Sequence, residues 1–77
     1  MLTVKILGSG CANCKTTTAL IEQVARDKGV AVNIDKIRDM QAIIAYGVLA
    51  TPGVVVDGKV VHAGGVPQRD RIEAWLA

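Results

Sequence analysis

The chain's 77 residues leave room for one domain, residues 1–77, with a core near the lower size limit for independent stability. Apolar residues make up 51% of it, yet there is no Phe and the only aromatics are Tyr46 and Trp75, so the interior must be assembled from Val, Ile, Leu and Ala. A net charge of +2, with Lys and Arg scattered along the sequence, excludes the concentrated basic footprint of a nucleic-acid or membrane-surface binder.

No apolar run reaches transmembrane length, and the start of the sequence enters a strand pattern without a basic segment, apolar stretch and cleavage site; the expectation is a cytoplasmic protein. Thr3 to Leu7 read as the first strand, ended by the Gly8-Ser9-Gly10 turn. From Cys11 to Lys28, Cys14, Thr17, Ile21, Val24 and Ala25 recur at helical spacing, and Gly29 supplies a C-terminal cap. Val30, Val32 and Ile34 alternate with Ala31, Asn33 and Asp35, the pattern of a second strand. A helical connection makes the two strands parallel neighbours joined by a right-handed crossover. Asp39 can cap a short helix running through Met40, Ile43 and Ile44 to Tyr46-Gly47.

The second half has a different texture. Gly53 to Val56 and Lys59 to His62 are β-branched runs separated by Asp57-Gly58, a pair that tolerates positive φ at both positions and so predicts an antiparallel hairpin. After Gly64-Gly65, Pro67 suits the first turn of a helix on which Ile72, Trp75 and Leu76 form an apolar stripe. Tyr46, Met40 and Trp75 fall on apolar stripes and are read as packing residues, and His62, the one histidine, as an edge or surface residue of the hairpin.

Both cysteines lie in Cys11-Ala12-Asn13-Cys14, where the first strand gives way to the first helix. Two thiols three residues apart share a helix face, and the unpaired N–H groups of a helix start favour thiolate over thiol. A bridge across so short a loop would constrain little of the unfolded chain, so the pair reads as reactive rather than as a structural clamp. Cys11, at the helix boundary, is the expected nucleophile, with a pKa in the roughly 3.5 to 7.5 range of such sites rather than about 8.5. Cys14, one turn in and on the inward face, is the expected resolving thiol.

The chain resembles the thioredoxin-like superfamily over nearly its whole length. The resemblance rests on the C-x-x-C that opens the first helix, on Tyr46-Gly47-Val48-Leu49-Ala50-Thr51-Pro52, and on the Val-rich hairpin with its following helix. It is nearest to the short redox-active disulfide proteins that lack thioredoxin's extra N-terminal strand and helix. It implies an α/β minimal thioredoxin fold, β-α-β-α-β-β-α, with a four-stranded mixed sheet and helices on both faces. It also implies thiol-disulfide oxidoreductase activity on protein disulfides, with the Cys11–Cys14 disulfide as redox centre and no metal or other cofactor. By the same resemblance Pro52 takes the place of the superfamily's cis-proline, and Thr51 exposes backbone to a substrate chain. Gly10, Ala12 and Asn13 complete the substrate-facing surface. Thioredoxin's Trp before the first cysteine is Gly10 here, and its Gly-Pro between the cysteines is Ala12-Asn13, so substrates do not carry over. Its buried carboxylate has no counterpart in the first strand, where Lys5 and, just after the motif, Lys15 are the nearest charges.

The stretch from Thr51-Pro52 to Gly64-Gly65 also looks like glutaredoxins, which would make glutathione the reductant. Val66-Pro67-Gln68 replaces the acidic residues that usually follow, and the linear sequence shows no basic cluster to take over the carboxylates of glutathione. A protein reductase is therefore the expected electron donor, and a monomer the expected state. A rival of another class is a copper-transfer module, since Gly10 to Cys14 resembles its loop and two thiolates can hold Cu(I). That family carries Met two positions before the first cysteine, where Ser9 stands, and closes on a strand rather than a helix. A structural zinc site needs four ligands, against two cysteines and one distant histidine. A thiol switch that senses oxidation without turning over substrate would share every feature of a reductase.

Overall fold

A computed structural model describes residues 2–8, 10 and 12–76. Seven elements follow in order: β1 (Leu2–Leu7), α1 (Ala12–Lys28), β2 (Val32–Ile37), α2 (Met40–Ala45), β3 (Gly53–Val56), β4 (Lys59–Ala63) and α3 (Arg69–Trp75). The strands form one sheet in the order β2-β1-β3-β4, with β1 parallel to β2 and antiparallel to β3, and β3 antiparallel to β4. This is the mixed four-stranded sheet and element order expected of a minimal thioredoxin-like fold.

The alternation of side chains along the strands sends them to two separate cores. Val4, Ile6 and Val54 pack with Ile21, Val24 and Ala25 of α1 and with Ile72 and Leu76 of the α3 segment. Leu7 and Val55 turn to the opposite face, where Ile43 of α2 and Val48 close a smaller cluster. Helices thus cover both faces, and α2 holds its face through Ile43 as its one buried residue.

Three expectations are corrected. The second strand starts at Val32 rather than Val30 and runs on to Ile37. Gly29, at φ +67°, donates to Arg26 and Val30 donates to Ala25, so the paired bonds of the helix C-terminus consume the residue that alternation had given to the strand. The last helix begins at Arg69 after the extended Gln68, leaving Pro67 ahead of the cap. Pro67 and Ile72 are both buried, in the positions where an apolar residue before a cap packs back on the fourth helical residue. Met40 is not the packing residue expected: it is 57% exposed, and Ile44 on the same helix is 60% exposed, because a six-residue helix lying on a sheet can bury only one narrow stripe.

The other expectations hold locally. Asp39 caps α2 by accepting from the Gln41 N–H at 3.2 Å. Asp57 and Gly58 both have positive φ, 48° and 84°, as the tight hairpin requires. Val61 is the extra residue of a bulge between Val54 and Val55. Trp75 is half-buried and shields the rim of the larger core, its ring 6.0 Å from that of His62, which sits on the edge strand. Tyr46 packs beside the smaller core and its hydroxyl accepts from Lys5 Nζ at 3.1 Å, which raises the Lys5 pKa.

Candidate active site at the start of the first helix

Helix α1 begins at Ala12, directly after the first cysteine in the chain, and its first turn contains no acidic residue that would oppose an anion there. Ala12 and Asn13 are exposed, and the next residue, Cys14, is buried at 5% exposure. One turn on, the hydroxyls of Thr17 and Thr18 donate back to the carbonyls of Asn13 and Cys14, at 2.8 and 3.0 Å. Both threonines are buried, and these bonds satisfy their hydroxyls while fixing the turn that carries Cys14. Cys11 lies outside the described residues, and so do Met1, Ser9 and Ala77.

Gly8, at the end of β1, is what brings the two halves of the expected site together. Its amide donates to the Ile37 carbonyl at 2.9 Å, so its backbone position is set by the sheet. A methyl group at Gly8 would run into Cys14 Sγ, and it would stand 3.7 Å from the Thr51 Cβ. The inner cysteine and the residue before Pro52 therefore both come close to Gly8, where an added side chain would crowd the sulfur. Sequence reading took Gly8 for a turn residue; the signal available was a glycine next to the motif, which does not reveal what it must avoid.

Thr51 is exposed, Pro52 is fully buried, and the bond between them is cis. The Pro52 carbonyl accepts from the Gly64 N–H at 2.9 Å, tying the loop to the end of β4. Gly64 has φ +84°, and a Cβ there would come within 3.1 Å of Ala50. Gly10, at φ +85°, is the remaining described part of the turn into α1. Leu49 projects beside this segment at 95% exposure.

A cavity of about 50 Å³ opens beside Cys14, lined from the end of β1, the first turns of α1 and the end of β2. Ile6 and Thr18 line it with Gly8, Gly10 and Cys14, and Lys15, Lys36 and Arg38 supply its charge. The guanidinium of Arg38 lies over Gly10, its Nη2 3.5 Å from where a side chain on that residue would begin. Lys15 lies about twenty residues before Lys36 and Arg38 in the sequence, and the parallel pairing of Ile6 with Lys36 is what delivers that second pair to the site. The linear sequence does not reveal this convergence.

Among the described residues no three of His, Cys, Asp and Glu gather as metal ligands. Among the described residues no helix is long and apolar enough to cross a membrane. The family model for the thioredoxin domain matches residues 2–77. A thioredoxin of Methanothermobacter thermautotrophicus is 31% identical over 77 residues, covering all of both chains. A thioredoxin of Methanocaldococcus jannaschii is 30% identical over 76 residues, covering 99% of this chain and 87% of its own.

Proposed function

Since this chain belongs to the thioredoxin family and is a thiol-disulfide oxidoreductase, we propose that Cys11 is its nucleophile and Cys14 its resolving thiol in the reduction and exchange of protein disulfides. The observation that carries the reading is the close approach of Cys14 and Thr51 to Gly8 at the first turn of α1.

Cys11, as thiolate, attacks one sulfur of the substrate disulfide. The S–S bond breaks, a mixed disulfide forms, and the other substrate sulfur leaves as a thiolate that takes up a proton. Cys14 then gives up its proton and attacks Cys11 Sγ, releasing the second substrate thiol and leaving Cys11–Cys14 oxidised by two electrons. The asymmetry is supported by Cys14, which is buried within α1, and by the sequence position of Cys11 just before the helix start, where unpaired N–H groups favour an anion. Gly10, Ala12, Asn13 and Thr51 form the face over which a substrate chain lies, Thr51 offering its backbone and the buried Pro52 supporting it from behind. The dithiol supplies the redox chemistry without a further cofactor or a metal.

Regeneration falls to a protein reductase presenting its own dithiol or flavin, docked over residues 10–13 and Thr51-Pro52; the absence of acidic residues at Val66, Pro67 and Gln68 argues against glutathione in that role. The protein works as a monomer in the cytoplasm. The test is covalent trapping. Cys14→Ser is expected to accumulate mixed disulfides with a disulfide substrate, and Cys11→Ser to form none and lose reductase activity. Equal trapping by the two variants would remove the assigned roles.

A further inference from the structure

We infer that the basic cavity beside Cys14 is a carboxylate-recognition subsite, which makes this protein selective for disulfides flanked by an acidic residue. The inference rests on the dithiol reading above and adds to it the chemistry of the substrate. Lys15, Lys36 and Arg38 converge on a cavity of about 50 Å³ that Cys14 also lines. That volume takes a carboxylate and a water or two. No Asp or Glu stands among the described lining residues. Arg69, by contrast, is held by Asp27 at 2.7 Å and Glu73 at 2.9 Å, whereas Lys15, Lys36 and Arg38 enter no ion pair or hydrogen bond among the described residues. Three cations and no carboxylate among the described lining residues leave the cavity net positive, which attracts an arriving carboxylate. The planar fork of Arg38 over Gly10 suits a carboxylate's two oxygens. The cavity adjoins the turn that leads into the motif, so a carboxylate seated there belongs to a group close to the reacting disulfide.

The experiment is single-turnover reduction by the pre-reduced protein, which needs no other reductant: two thiols of the protein become one disulfide as the substrate disulfide becomes two thiols. Two matched pairs of substrates are compared. One is a peptide disulfide with Glu beside the half-cystine against the same peptide with Gln. The other is glutathione disulfide against its amidated form. At low ionic strength the Glu peptide is expected to react roughly 5- to 20-fold faster than the Gln peptide, a few-fold for each screened surface charge it meets. The ratio should fall toward one near 1 M salt, where the screening length is about 3 Å. Lys36→Gln combined with Arg38→Gln should bring the ratio below roughly twofold, Lys36→Arg should retain it, and Lys59→Gln, the same charge change on β4, should also retain it. Preference confined to the peptide pair places the carboxylate on protein substrates, and preference in the glutathione pair extends the subsite to small acidic disulfides. Equal rates within both pairs, or a ratio indifferent to the Lys36 and Arg38 changes, would overturn the inference while leaving the dithiol chemistry intact. Reduction of none of the four substrates would overturn both.

Discussion

Gly8→Ala tests whether the site is assembled by the absence of a side chain. The new methyl would overlap the Sγ of Cys14, a residue only 5% exposed, while its approaches to the Cβ atoms of Cys14 and Thr51, both 3.7 Å, are ordinary contacts. Crowding of this kind in a packed interior costs about 1–3 kcal/mol, partly offset by about 0.4–1 kcal/mol from the stiffer unfolded chain when Gly becomes Ala. A net loss of about 1–2 kcal/mol corresponds, at roughly 4–8 °C per kcal/mol for a domain of this size, to a Tm lower by roughly 5–15 °C. The decisive measurement is a double-mutant cycle on the reduced protein by denaturant unfolding. In a Cys14→Ala background the sulfur is gone, so Gly8→Ala should cost nothing, giving a coupling energy of at least about 1 kcal/mol. Strict additivity, or no loss in the single variant, would refute the claim that Gly8 is reserved for the sulfur.

Oxidation should yield a monomer lighter by the mass of two hydrogens and lacking free thiols, read by mass spectrometry after thiol labelling; disulfide-linked dimers as the main product would count against the Cys11–Cys14 pair. Ile43→Ala should lose about 2–5 kcal/mol, since Ile43 is the buried residue through which α2 holds the sheet, whereas Met40→Ser and Ile44→Ser should stay within about 0.5 kcal/mol. Arg69 holds the Asp27 carboxyl below its ordinary value of 3.8, chiefly by a hydrogen bond and with help from Gln23. A lowered folded-state value stabilises above the unfolded value and loses that contribution as pH falls through the folded one. The Tm difference between the protein and Arg69→Gln should therefore be full above about pH 5 and shrink on acidification below 3.8, and a difference that grew there would refute the assignment.

Much of the fold was written in local chemistry. Residues of β1 and the hairpin declared themselves by alternation and by Asp57-Gly58, and α1 and α2 by their apolar spacing and by Gly29 and Asp39, because propensity, capping and turn geometry act between neighbours in the chain. The dithiol segment was legible for the same reason: its chemistry depends on spacing and on the start of a helix, both local. Errors came where a residue had a choice that only its partners decide. Val30 had the right side chain for a strand, but its N–H was already committed to Ala25. Met40 had the apolar character of a core, but the sheet leaves α2 contact for Ile43 alone. Tertiary structure also supplied the site's surroundings. Lys15, Lys36 and Arg38 are unremarkable in the sequence, and become a basic cavity because parallel pairing sets β2 beside β1 and lays Arg38 over Gly10. Gly8 likewise means nothing until Cys14 and Thr51 come close to it. A sequence determines what each residue can do with its neighbours along the chain; which distant residues must share a space, and therefore which side chain has to be missing and which charges gather, is fixed when the strands choose their partners.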